Sequence, residues 1–241
     1  MARTHYPQFC ALARATEIIG ERWTLLIVRD LLHGPKRFSD LLDTLSGITP
    51  AMLTARLANL IDSGVIEKRE LRAPARISVY DLTAIGRALR PAIDALILWG
   101  GHFLFPMRDD DRFEPDWVVL ALEPVAQRAR VPALTARLVL RHGGGETPFQ
   151  IVGGPTGTQI LAIDACDADA RDTGACDTRA RDAAAYDVTV RTSFDVALQF
   201  LSGSLPLKKA LADGKLTIDG PQKKAALLPS LFNFRHLASR D

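Results

Sequence analysis

The stretch that most constrains this chain is residues 48–70, ITPAMLTARLANLIDSGVIEKRE. Thr49-Pro50 is a helix start: a threonine oxygen accepts from the first free amides, and proline at the first helical position gives up an N–H that would lack a partner. Leu53, Leu57, Leu60 and Ile61 then recur at the spacing of one helix face, and Gly64 supplies a C-terminal stop. The opposite face carries Ala51, Met52, Ala55, Ala58 and Asn59, with Arg56 on its flank. A helix with so lean an outer face fits few architectures, and its neighbours decide among them.

Upstream, residues 10–19 and 23–33 pattern as two apolar-striped helices, and residues 37–46 as a third with Phe38, Leu41, Leu42 and Leu45 inward. Gly47-Ile48 is a tight link, so the third helix and the quoted one form a helix-turn-helix arrangement. Downstream, VIEKREL and RISVYDL read as strands flanking the turn Arg72-Ala73-Pro74-Ala75. Thr83 then caps a last helix, AIGRALRPAIDALILWGGHF, which Pro91 bends.

This order of elements resembles the HxlR family, bacterial winged helix-turn-helix regulators related to MarR. The matching residues are Cys10, Gly20, Trp23-Thr24-Leu25-Leu26-Ile27, Arg37-Phe38, Leu53, Arg56-Leu57, Leu60, Gly64 and Ile66. YDLTAIG matches the family's Y-x-L-T-x-x-G, and Trp99-Gly100 closes the domain. The likeness covers residues 8–105, and Ser78 departs from it where the family usually has Val. It implies a DNA-binding transcriptional regulator, a homodimer presenting two recognition helices one helical turn apart on a pseudo-palindromic operator.

A net charge of +2 neither supports nor excludes nucleic acid, so any basic patch must be local. Lys68, Arg69, Arg72 and Arg76 fall within nine residues of the hairpin, where a wing belongs, against Glu67 and Glu70. Phosphate contacts supply most of the affinity and can come from that wing, from Lys36 and Arg37, and from amides at helix N-termini. Thr49, Pro50, Ala51, Met52, Ala55 and Asn59 are then left to meet the groove, the small and apolar ones against thymine methyls. Arg56 has two readings: a guanine or phosphate contact, or a structural pair with an acid such as Asp40. Leu89, Ile93, Leu96, Ile97 and Trp99 exceed what one small domain buries, which makes the last helix, with the first, the expected dimer surface.

Residues 106–116, PMRDDDRFEPD, read as a linker. PDWVVLALEPVA patterns as a short helix, runs at 136–141, 147–152, 158–164 and 186–192 as strands, and 194–202 and 206–212 as helices. A polar, low-complexity insertion lies near 165–185. The final stretch resembles a sterol-carrier-protein (SCP-like) domain through Gly-Lys-Leu-x-Ile-x-Gly, here Gly214 to Gly220, between helices. That resemblance implies helices packed on a twisted, mostly antiparallel sheet around an apolar cavity, with Leu198, Leu201, Leu205, Leu207 and Phe232 as candidate ligand-binding residues. The fold class expected is therefore α+β: a winged-helix domain over 1–105, a linker over 106–116 and an SCP-like domain over 117–241, with a lipophilic small molecule as the candidate effector.

Other chemistries find little footing. Three cysteines, Cys10, Cys166 and Cys176, make no disulfide framework, which favours a reducing cytoplasm. Cys10 sits where some HxlR-type regulators carry a redox-sensing thiol; the ordinary reading is a small apolar residue at a helix start. No metal site, cofactor or catalytic residue is expected, because the five histidines are scattered and HGGGETPF and GGPTGTQ lack the Lys-Ser/Thr and helix of a phosphate loop. Neither a signal peptide nor a membrane span is legible. The alternative function class is a lipid or acyl carrier whose winged helix serves assembly.

Overall fold

Thr49 accepts a hydrogen bond from the Met52 N–H at 3.3 Å, and with Pro50 opens helix α4, Pro50–Asp62. The computed structural model describes residues 5–71, 77–106, 108, 110–143, 145–163 and 186–234. Two compact units make up the chain, residues 1–96 and 97–241.

In the first unit, α1 (Ala11–Ile19), α2 (Thr24–Leu31) and α3 (Phe38–Thr44) precede α4. Strands β1 (Ile66–Leu71) and β2 (Ile77–Leu82) follow it as an antiparallel pair, with Ile66 opposite Leu82. Lys36 adds an isolated bridge to Tyr80, its N–H donating at 3.0 Å and its carbonyl accepting at 2.8 Å. The segment before α3 is thereby tied to the hairpin. Ile27, Val28, Leu31, Leu41, Leu45, Leu53, Leu57, Leu60, Val79 and Leu82 are buried. Ile61, expected inward with the leucines, is instead 38% exposed. It lies at the edge of the apolar stripe, where Leu57 and Leu60 already fill the space beneath the helix.

The last helix is divided rather than bent. Helix α5 (Ala84–Arg87) ends one turn in, and α6 (Arg90–Gly100) starts with Pro91 at its second position. Proline has no N–H to give to the carbonyl of Arg87 and its ring crowds that turn. Gly86 explains the glycine of the YDLTAIG motif: a Cβ there would stand 2.1 Å from the Val65 carbonyl oxygen, so no side chain fits. Thr83 caps α5 through the Gly86 N–H at 3.1 Å and donates its hydroxyl to the Gly64 carbonyl at 2.6 Å.

The second unit holds a five-stranded sheet in the order β5-β4-β3-β6-β7, with β3 Leu134–His142, β4 Gly145–Gly154, β5 Gly157–Ala162, β6 Val188–Ser193 and β7 Leu216–Asp219. Only β3 and β6 pair in parallel, so the sheet is mostly antiparallel, as the resemblance implied. One face is apolar: Leu134, Ala136, Leu138 and Leu140 alternate along β3, joined by Phe149, Ile151, Ile160, Val188 and Val190. Against it pack residues of α7 (Pro115–Leu122), α8 (Phe194–Leu201), α9 (Leu207–Ala212) and α10 (Gln222–Ala225). Gly220, at φ +114°, closes the motif because a Cβ would press to 3.0 Å on the Asp187 carbonyl. Asp187 itself ties β6 to β3: its carboxylate accepts from the Thr135 N–H at 2.9 Å and pairs with Lys224 at 3.2 Å.

Candidate functional site

The outward face of α4 exposes most of the residues the spacing placed there and adds Thr54. Thr49, Pro50, Ala51, Met52 and Ala55 are all exposed, and so is Thr54, whose hydroxyl donates to the Pro50 carbonyl at 2.8 Å and leaves its methyl outward. Thr54 was legible from spacing, three residues beyond Ala51 and four before Ala58. Asn59 is only half-exposed and engaged within the chain. Charged side chains are absent from the first two turns of the face, so a polyanion docking there would meet small groups, two hydroxyls and the N-terminal amides.

Three of the basic residues are partly committed within the fold. Arg56 is ion-paired with Glu21, and its guanidinium is largely buried. That is the structural alternative for Arg56, with Glu21 rather than Asp40 as the acid; Asp40 instead accepts from the Arg37 backbone N–H at 2.9 Å. Arg69 is ion-paired with Asp81 and lies 3.7 Å from Glu67. Lys36 is half-buried and engaged. Arg37 is exposed, and Lys68 extends over the Tyr80 ring at 5.8 Å, with its charged end accessible. Arg72 and Arg76 lie outside the described residues, as do Cys166 and Cys176.

Of the residues expected at a dimer surface, Leu96 and Trp99 are exposed at 45% and 64%, whereas Leu89 and Ile97 are half-buried and Ile93 is buried within the chain. Apolar exposure continues at Phe103, and in the first unit at Phe9 and Leu12 around α1. Cys10 stands exposed at the N-cap of α1.

The second unit contains a cavity of about 1280 Å³. One face of α8 lines it through Phe194, Asp195, Leu198 and Gln199, with Ser202 at its C-cap, while the other face, with Val196, Ala197, Phe200 and Leu201, joins the core. Phe113 stacks on the His142 ring at 4.1 Å and meets Phe194 edge-on at 6.3 Å. Phe105, Phe232 and Phe234 complete an aromatic wall. Of the expected ligand-binding residues, Leu198 and Phe232 line this space; Leu201 and Leu205 are core, and Leu207 packs beside it. Phe105 and Phe113 were missed because they flank or lie in a stretch that reads only as a linker.

A helix-turn-helix whose second helix is exposed, followed by a two-stranded hairpin, defines a winged-helix unit. A model of the HxlR-like helix-turn-helix family matches residues 18–108, and one of the SCP-2 sterol transfer family matches residues 160–233. The HTH-type transcriptional regulator YodB of Bacillus subtilis is 33% identical over 93 residues, 38% of this chain and 82% of YodB. An uncharacterized HTH-type transcriptional regulator of Mycobacterium tuberculosis, Rv3095, is 38% identical over 94 residues, 39% of this chain; the match spans 59% of that relative's length. Among solved structures, the reduced form of YodB is 30% identical, with 42% of this chain and 100% of that one covered at a TM-score of 0.36. The chain belongs to the HxlR-like helix-turn-helix family, and carries a segment matching the SCP-2 family after it.

Proposed function

We propose that this protein is a DNA-binding transcriptional regulator that acts as a homodimer on a pseudo-palindromic operator. The observation that carries the reading is the α4 face: N-capped, exposed, free of charge in its first two turns, and followed directly by a hairpin with an exposed Lys68. Such a helix enters a major groove without electrostatic penalty, reads thymine methyls through Ala51, Met52 and Ala55, and leaves phosphate contacts to Arg37, Lys68, Arg72 and Arg76. With few donors on that face, groove shape and deformability carry much of the specificity. A second copy covers the exposed Leu96 and Trp99 of α6 and the apolar residues around α1. Footprinting on the DNA upstream of the protein's own gene tests this; a protected palindrome is expected, and uniform protection at every salt concentration would oppose it.

The cavity supports a lipophilic effector. Small-molecule sites occupy roughly 300–1,000 Å³, and this space exceeds that range, which suits a lipid-sized ligand. The same cavity favours the alternative of a lipid or acyl carrier, which differs in predicting no operator. Exposure of Cys10 favours a thiol-based sensor as a further alternative; release of DNA by mild oxidant, abolished in Cys10→Ser, separates it from a bland cysteine.

A further inference from the structure

We propose that Asp81 is a positioning residue for the wing, holding strand β1 against helix α5 through Arg69 and Arg87. This rests on the DNA-binding reading above. Asp81 occupies the unspecified second position of the Y-x-L-T-x-x-G motif, so the family pattern alone does not call for an acid there. Its side chain is only 2% exposed, yet it is a charged carboxylate. Three donors from three elements converge on it. Arg87 of α5 reaches Oδ1 at 2.7 Å, the Leu82 N–H donates to the same oxygen at 2.8 Å, and Arg69 of β1 donates to Oδ2. Arg87 donates its other terminal nitrogen to the Leu82 carbonyl.

The geometry goes beyond what burial requires. A lone buried carboxylate needs its charge met once; here two guanidiniums meet it from opposite elements, and both remain about half exposed, 45% for Arg69 and 55% for Arg87. Charge at the cluster is balanced, since Glu67 stands 3.7 Å from Arg69 and Asp81 adds a second negative charge against the two arginines. A balanced cluster adds no net attraction for a polyanion. What it does is fix direction: β1 is laddered to β2 along its whole length, but of its side chains only Ile66 is buried. The Arg69–Asp81–Arg87 chain adds a side-chain anchor to that ladder, and it runs into α5, whose C-terminal end leads directly to α6. Lys68 lies next to Arg69 on the same strand, its side chain over the Tyr80 ring, so holding β1 holds Lys68 with it.

Simple electrostatics and positioning predict opposite signs for one variant. Asp81→Asn removes a negative charge, so charge alone would tighten binding to any polyanion. If Asp81 positions the wing, binding to sonicated mixed-sequence duplex DNA weakens about tenfold, and its salt slope flattens by about 0.9 for each phosphate the wing no longer engages. Arg87→Lys keeps the charge and sits at the surface, but it loses the two-nitrogen fork that reaches Asp81 and the Leu82 carbonyl from separate nitrogens. It should weaken the same binding several-fold. Amide hydrogen exchange reads the anchor without DNA: in Arg87→Lys, exchange across β1 should accelerate about tenfold while α4 is unchanged. Tighter or unaltered DNA binding in folded Asp81→Asn, or unaltered β1 exchange in Arg87→Lys, overturns the proposal. Should the wild-type protein bind no duplex DNA, the regulator reading fails on its own, and the exchange result still decides whether Asp81 anchors the wing.

Discussion

Arg56, on the flank of α4, is ion-paired with Glu21 in the turn that joins α1 to α2. The pair ties the helix with the exposed, uncharged face to the turn that follows α1, and it leaves Arg56 with little freedom to reach a base.

Arg56→Ala should therefore cost stability, about 2 kcal/mol, because it removes the ion pair and strands a partly buried Glu21. DNA binding should weaken alike on operator and random duplex. A change in sequence preference with unchanged melting would return Arg56 to the groove.

Residues on the α4 face should behave in the opposite way. Met52→Lys and Ala55→Glu lie at exposed positions, so melting should shift by no more than about 0.5 kcal/mol equivalent. Operator preference should change by about 1–3 kcal/mol per altered base contact. Selection from a randomised duplex pool measures this; an identical selected sequence for wild type and Met52→Lys takes the face out of the groove.

For assembly, Leu96→Asp places a charge on an apolar side chain that is exposed in the single chain. Sedimentation should show a dimer for the wild type and a monomer for the variant, with operator binding lost together with the dimer. A wild-type monomer at micromolar concentration would remove α6 from any interface.

In the second unit, Leu198→Trp should narrow the cavity beside the face of α8 that lines it and obstruct a ligand lying along that helix. An elongated lipophile such as a long-chain fatty acid should bind the wild type with a negative heat-capacity change, the mark of apolar burial, and fail to bind the variant. If ligand also lowers operator affinity tenfold, the coupling is about 1.4 kcal/mol and DNA must weaken the ligand by the same factor.

Asp187 gives a pH-dependent contribution. The Thr135 backbone N–H, and then Lys224, hold its carboxyl below the usual carboxylate range. A folded-state value below the unfolded one stabilises the fold at pH above the unfolded value, and the contribution disappears as pH falls through the folded value. Asp187→Asn should accordingly lower the melting temperature near neutrality and have a smaller effect in acid. An equal effect at both pH values would mean that the carboxylate's charge is not what joins β6 to β3.

The first unit was legible almost residue by residue because its signals are local. Caps at Thr49 and Thr83, the leucine spacing of α4 and the YDLTAIG motif each act within a few residues, and each is satisfied where the pattern placed it. What could not be read were partners brought together from afar: Glu21 for Arg56, Asp81 for Arg69, and the burial of Ile93, which periodicity alone makes look spare. The second unit's strands were legible from alternation, but the order β5-β4-β3-β6-β7 depends on a parallel β3–β6 pairing across 52 residues between Thr135 and Asp187. Its cavity wall was legible least, since a ring such as Phe113 faces a cavity only once His142 and Phe194 are folded around it.

Winged-helix DNA recognition by two copies of the chain is the claim on which the rest depends. The most direct measurement is the stoichiometry and salt dependence of binding to a short duplex from upstream of the protein's own gene, read by sedimentation. Two protomers should bind per duplex, with log affinity falling linearly in log salt at a slope of about 0.9 per phosphate engaged. An affinity that does not change with salt, or no binding at any salt, would contradict it.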